Sequence, residues 1–183
     1  MRWRGVLVGR LLFLGAIIVA MGAALQVQAA PPSAPLARPQ TLSLGGVAPA
    51  LNVRRLAGTD PVELDRLHGR VVVLDFWATW CRPCRTVMPA LDGLHRDLHG
   101  RGLTVIGVTT EPAAMVQGFL QRNPVGYTVA SGSSGTMARY RVRGLPTMVV
   151  IDTRGKVRRV MVGGGRAEMR ALEGLVQSLL PAP

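Results

Sequence analysis

Two nearly continuous apolar runs, Val71-Val72-Val73-Leu74-Asp75-Phe76 and Leu103-Thr104-Val105-Ile106-Gly107-Val108, read as strands buried on both faces. Between them Val87, Leu91, Leu94 and Leu98 recur at helical spacing as far as His99, with Pro89 expected to kink that helix. Pro112 suits the first turn of a second helix that ends before Asn123-Pro124. A short strand around Tyr127-Thr128-Val129 and a helix near Gly135 to Tyr140 come next. Thr147 to Asp152 reads as a strand, Thr153-Arg154-Gly155 as a tight turn, and Lys156 to Val162 as the hairpin partner. Leu172, Leu175, Val176 and Leu179 mark a closing amphipathic helix. Upstream, Leu51-Asn52-Val53 and Pro61-Val62-Glu63-Leu64 flank the turn residues Gly58-Thr59-Asp60, which predicts a small N-terminal hairpin. Strands alternating with helices and ending in an antiparallel pair predict an α/β sandwich, a mixed central sheet flanked by helices. There is no internal repeat.

The first 40 residues follow a different pattern. Arg2, Arg4 and Arg10 precede an apolar stretch from Leu11 to Leu25, and Val27-Gln28-Ala29 carries small residues where a signal peptidase reads. Residues 1–29 are therefore expected to be a signal peptide cleaved before Ala30. The alternative is an uncleaved anchor, since residues 11–30 are just long enough to span a bilayer. Either way the basic flank keeps the N-terminus in the cytoplasm and sends the rest across the membrane, into the periplasm or an equivalent space. Pro31, Pro32, Pro35 and Pro39 make residues 30–40 an extended Pro/Ala-rich linker, leaving 41–183 as the folded domain. No cysteine lies near the cleavage region, so a lipid anchor there is excluded.

Composition and charge change this picture little. Hydrophobic residues are 48% of the chain, enough for a sizeable core without a stabilising disulfide. The net charge of +12 falls to +9 without the three leader arginines. Its arginines are scattered, with concentrations only at Arg139-Arg141-Arg143 and Arg154-Lys156-Arg158-Arg159, and an exported protein meets no nucleic acid. They read as a solvated surface, or as a face for an acidic partner.

Cysteine usage changes it decisively. The chain has two cysteines, both in Trp80-Cys81-Arg82-Pro83-Cys84, at the junction between the first buried strand and the helix after it. Such a junction places the first sulfur at a helix N-terminus, where free N–H groups and the macrodipole stabilise a thiolate. Neither cysteine has another thiol to pair with, so the internal partner of each is the other. A static structural disulfide is the bland reading. Two thiolates alone leave zinc two ligands short, so no metal is expected.

Four features together resemble the thioredoxin superfamily. They are Val-Leu-Asp-Phe-Trp-Ala-Thr-Trp-Cys-Arg-Pro-Cys-Arg at 73–85, Pro89 five residues past the second cysteine, Gly144-Leu145-Pro146-Thr147, and Val149-Val150-Ile151-Asp152 with Gly155. The N-terminal leader, the hairpin, the Phe-Trp-Ala-Thr-Trp-Cys phrase and an extra helix-strand insertion near 112–130 make it most similar to the exported TlpA/ResA-type thiol-disulfide reductases. The resemblance covers about residues 48–180. It implies a thioredoxin-like sandwich, with Cys81 as an exposed nucleophile whose pKa is lowered by the helix and by Arg82 and Arg85. Cys84 would be the buried resolving thiol, and Pro146 a cis proline beside which substrate backbone docks. Trp80, Arg82, Pro83 and Leu145 would line the docking surface, while Trp77 packs.

Two carboxylates are candidates for proton or positioning work. Asp75 lies where thioredoxins place a buried carboxylate, although many TlpA-like proteins have asparagine there. Burial would raise its pKa and let it serve Cys84 as acid or base through a water; the alternative is a carboxylate bonded to some donor at a strand edge. Glu111 matches a glutamate that ResA-like proteins keep near the active site, and it equally suits the helix start at Pro112. His95 and His99, four residues apart beside Arg96 and Asp97, read as surface histidines, since no further ligand is within sequence reach.

The implied activity is reduction of protein disulfides through a mixed disulfide, with no bound cofactor beyond the Cys81–Cys84 pair. Its substrates would be proteins such as apocytochrome c or a copper-site protein, and its electrons would come from a membrane thiol-disulfide transporter. A net thiol oxidase is the alternative, because Arg82 stabilises the reduced form. A Sco-like copper-binding factor is disfavoured, since that group uses Cys-x-x-x-Cys with a distant histidine and none follows His99 here.

Overall fold

A computed structural model describes residues 41–181. The expected leader, its cleavage point at Ala29/Ala30, the alternative anchor at 11–30 and the linker 30–40 lie outside the described residues. Within them no helix is long and apolar enough to cross a membrane.

Six strands form one mixed sheet: β1 (Val53–Ala57), β2 (Val71–Phe76), β3 (Leu103–Thr109), β4 (Thr128–Gly132), β5 (Thr147–Ile151) and β6 (Val157–Val162). Their spatial order is β1-β4-β3-β2-β5-β6. β2, β3 and β4 run parallel, whereas β5 pairs antiparallel with β2, β6 with β5, and β1 with β4. The helices are α1 (Arg82–Leu98), α2 (Ala113–Arg122), α3 (Ser134–Arg139) and α4 (Arg166–Leu179). The apolar runs form β2, β3 and β5, every residue of which is buried. Central strands covered on both faces need apolar side chains at every position, not alternate ones.

The two faces have separate cores. Val71, Val73 and Trp77 pack with Cys84, Val87 and Leu91 of α1, Val116 and Phe119 of α2, and Leu172 and Val176 of α4. Val72, Leu74 and Phe76 pack instead with Leu42, Leu51, Leu67 and Tyr140 on the opposite side. Alternation along β2 therefore turns Asp75 toward the α1 face.

The expected N-terminal hairpin does not form. Val53–Ala57 is an edge strand of the main sheet, pairing with β4, and Leu64–Leu67 is a single 3₁₀ turn. β4 pairs along one side of β1, and Pro61 lacks the N–H that a hairpin partner on its other side would donate. Gly58, at φ +82°, lies so close to β4 that a Cβ there would meet Thr128 Cα at 2.5 Å. The Asp60 N–H then donates to Thr128 Oγ1 at 3.0 Å, which fixes the turn against the sheet.

α1 runs continuously through Pro89 and ends at Leu98. Arg70 secures that end: its guanidinium donates to the carbonyls of His99 and Leu103 and to Thr104 Oγ1. The helix thus has one end fixed at the strand β3 and the other presented at the top of β2.

Candidate active site

β2 ends at Phe76 and the chain turns through Trp77-Ala78-Thr79-Trp80 into α1. The Trp77 N–H still donates to the Val108 carbonyl, so the turn stays attached to β3. Cys81 is the N-cap of α1, and the Cys84 N–H donates to Cys81 Sγ at 3.2 Å. Pro83 at the start of the helix lacks only an N–H that would have no intrahelical partner. The two sulfurs are joined in a disulfide across a Cα–Cα distance of 5.3 Å. An N–H and a helix terminus aimed at Cys81 Sγ stabilise negative charge there once the disulfide opens. Arg82 and Arg85 are exposed on the first turn, and no acidic residue is there.

Cys84 is buried as expected, but Cys81 is buried too, contrary to the expectation of an exposed sulfur. In the disulfide Cys81 Sγ turns inward to meet Cys84, one helical turn on. The exposed features of the loop are Trp80, at 73% accessibility, with Arg82 and Pro83.

Asp75 sits below this turn on β2. It is wholly buried, opposite Gly107 on β3 and Met148 on β5, and neither carboxylate oxygen has a hydrogen-bond partner. Burial in this apolar layer pushes its pKa up to about 7. The alternative reading, a bonded carboxylate at a strand edge, is overturned: β2 is central and the carboxyl is unbonded. Gly107 leaves room beside it. A Cβ at that position would lie 3.1 Å from Trp77 Nε1 and 3.2 Å from the Tyr127 ring. Tyr127 is also buried with its hydroxyl unbonded, and its pKa is raised by burial first and by the Asp75 charge second. Periodicity alone makes Tyr127 no more than the opening of a short strand. A glycine inside a core strand signals a close approach of other groups, and Gly107 is the clue that points here.

Glu111 reaches back to the same turn. Its carboxylate accepts from the Thr79 N–H at 2.6 Å, from Thr79 Oγ1 at 2.7 Å and from Thr109 Oγ1 at 3.3 Å. Pro112, not Glu111, is the N-cap of α2. Glu111 therefore ties the loop two residues before Cys81 to the end of β3. Hydrogen bonds to a charged group are the stronger kind. Glu111→Ala is expected to cost roughly 2 kcal/mol, since it strands the Thr79 N–H, and Glu111→Gln less. Urea unfolding of the three proteins checks the ordering.

The Leu145–Pro146 peptide is cis, Pro146 is buried and Leu145 is half-buried. The Gly163 N–H donates to the Pro146 carbonyl at 2.8 Å. Gly164 is wedged between Val87 of α1 and the Pro146 ring, with no space for a side chain against Val87. This wedge holds the proline loop to the first turns of α1. Thr147 Oγ1 closes the loop on the Gly144 carbonyl at 2.7 Å.

The two α1 histidines depart from the sequence reading. His95 is buried, and only His99 is surface-accessible; Asp60 from the turn after β1 stands against both.

Residues 44–160 match the AhpC/TSA family. Among individual proteins, the chain is 32% identical over 145 residues to thiol-disulfide oxidoreductase ResA of a Bacillus cereus strain, covering 78% of this chain and 82% of that one. It is 31% identical over 123 residues to thioredoxin-like protein YneN of Bacillus subtilis, covering 65% and 71%. In structure it is similar to a crystal structure from Chlorobium tepidum, provisionally assigned as thiol:disulfide interchange protein DsbE. That match has a TM-score of 0.68 and 35% identity over 77% of this chain and 100% of the other.

Proposed function

This chain belongs to the AhpC/TSA family, among thiol-disulfide oxidoreductases of the ResA type, and from that premise we propose that it is an exported reductase of selected protein disulfides. The observation that carries the proposal is Asp75: an unbonded, wholly buried carboxyl with a pKa pushed up to about 7, on the strand that delivers the Cys81–Cys84 pair. A structural disulfide has no use for such a group, whereas a thiol that must lose a proton at neutral pH does.

In the reduced protein the Cys81 thiolate attacks one sulfur of a substrate disulfide. A Cys81–substrate disulfide forms and the first substrate thiolate leaves, taking a proton from solvent. The Cys84 thiol passes its proton through a water to the Asp75 carboxylate, and the Cys84 thiolate attacks Cys81 Sγ. The second substrate thiolate leaves, and the Cys81–Cys84 disulfide remains. Two electrons have moved to the substrate, and no bound cofactor takes part. Trp80, Arg82 and Pro83 offer the exposed surface for docking, and Leu145-Pro146 offers backbone for an extended substrate segment. A membrane thiol-disulfide transporter would return the electrons, with the site facing the periplasm or an equivalent space. Apocytochrome c cysteines or a copper-site protein are the substrates the family resemblance favours.

Two observations favour a second reading, a net oxidase. The Cys84 N–H bond and the cationic first turn stabilise the Cys81 thiolate, which makes the pair more oxidising. Trapping on a Cys84→Ser variant in the native host tests the reductase reading. Protein partners held on Cys81 through substrate cysteines support it; an absence of any trapped partner would remove it.

A further inference from the structure

At the end of α1 remote from the disulfide, three side chains from separate parts of the chain converge. His95 and His99 stand one turn apart on one helix face, with ring centroids 4.7 Å from each other. Asp60 reaches them from the turn that Gly58 fixes against β4. Its Oδ1 is 2.9 Å from His99 Nε2 and its Oδ2 is 3.9 Å from His95 Nε2. One donor atom from each of the three residues lies within 4.8 Å of the other two.

His95 is the informative member. Its side chain is 8% exposed, yet its Nδ1 has no hydrogen-bond partner and its Nε2 is too far from Asp60 to make one. A buried imidazole nitrogen without a partner is costly, and Nε2, which makes no hydrogen bond within the protein, is free to take a ligand on the Asp60 side. The neighbouring charges are otherwise engaged. Arg70 is bonded to the His99 and Leu103 carbonyls and Thr104 Oγ1, and Asp92 accepts from the Gly126 N–H and Arg96.

We propose that Asp60, His95 and His99 bind one divalent transition-metal ion of the kind that prefers imidazole, Zn²⁺ being the representative case. Two imidazoles and a carboxylate are a donor set that Zn²⁺, Cu²⁺, Ni²⁺ and Fe²⁺ accept and that Mg²⁺ and Ca²⁺ do not favour. Zn–N and Zn–O bonds of about 2.0–2.2 Å in tetrahedral geometry place donors roughly 3.4 Å apart. The His99–Asp60 pair is already at 2.9 Å and one donor of each residue lies within 4.8 Å of the others, so side-chain rotations that draw both imidazoles onto one Asp60 oxygen complete the site. Asp60, at 14% exposure, and His95 form its floor, while His99, at 44%, leaves a flank open to water as the fourth ligand. His95 lies about fourteen residues along the helix from Cys81, about 21 Å along the axis, so the ion lies outside the redox centre. Its effect is to staple the turn after β1 to the C-terminal end of α1.

The test uses chelator-treated protein with the Cys81–Cys84 disulfide intact, so that no thiolate competes, and Zn²⁺ as the probe. Calorimetry is expected to give one ion per chain. Thermal unfolding is expected to shift up by roughly 5–10 °C at a hundredfold excess over Kd. Exposed His99 is the primary variant because its loss leaves the core intact. His99→Gln and Asp60→Asn are each expected to weaken binding by more than about tenfold, whereas His68→Gln, at the remaining histidine of the chain's three, leaves it unchanged. No saturable uptake, uptake unaffected by His99→Gln, or uptake abolished by His68→Gln would each overturn the assignment.

Discussion

A Cys84→Ser protein is expected to lose turnover by roughly a thousandfold or more and to accumulate mixed disulfides on Cys81. Cys84 is one helical turn from Cys81, with Cα atoms 5.3 Å apart and its N–H already bonded to Cys81 Sγ. Well-placed intramolecular groups act at effective concentrations of about 10⁵ M and above, which external thiols at about 1 mM cannot replace. The intermediate then waits for an outside thiol, and non-reducing electrophoresis shows it as a higher-mass, thiol-sensitive band. Cys81→Ser is expected to be equally inactive but to hold nothing, because buried Cys84 has no helix terminus to activate it. Trapping by Cys81→Ser in place of Cys84→Ser would reverse the assigned roles.

Asp75→Asn is expected to slow resolution of the mixed disulfide by about a hundredfold at neutral pH, the usual scale for a positioned general base. The wild-type rate should rise through pH 7, as Asp75 ionises, and the variant should lose that inflection. Stability changes in the opposite sense. The folded-state pKa of about 7 lies above the ordinary value of 3.8, so the folded protein holds a proton that the unfolded chain releases. Folding stability therefore falls as pH rises from about 4 to 7 and is lowest above 7, by up to about 4 kcal/mol relative to acid. Asparagine carries no charge to bury, so at pH 8 the variant should be the more stable protein and should lack that slope. Denaturant midpoints at pH 5 and pH 8 for both proteins read this directly. A variant that is slower yet more stable at pH 8 separates a proton-transfer role from a merely structural one. Equal kinetics would remove Asp75 from the mechanism.

Much of this site is legible in the chain because its parts are local. The run from Val71 to Phe76, the helical recurrence after Cys84 and the loop at Pro146 are each written within a few consecutive residues, where periodicity and turn chemistry act. What sequence misses depends on long-range pairing. Leu51-Asn52-Val53 looks like half of a hairpin, but the strand runs on through Arg54 and Arg55 to Ala57 and its ladder partner is β4, more than 70 residues on. Glu111 reads equally as a helix-start residue or as an active-site residue, since Thr79, its partner, is 32 residues upstream. His95 has the neighbours of a surface residue in sequence, but the fold brings Asp60 beside it and sets Tyr127 against its edge, ring centroids 6.3 Å apart. The helix-terminus argument places Cys81 correctly at the N-cap of α1, but it does not foresee that the disulfide to Cys84 buries the Cys81 sulfur.

The direction of electron flow is the centre of the account, and the reduction potential of the Cys81–Cys84 pair measures it most directly. Equilibrating the protein with glutathione or dithiothreitol buffers and counting free thiols gives the value. A reductase is predicted to lie near or below the thioredoxin potential of about −270 mV, so that its dithiol gives electrons to exposed or strained protein disulfides of higher potential. A potential at or above about −150 mV would contradict that, making the pair an oxidant and Arg82 the residue that tips it.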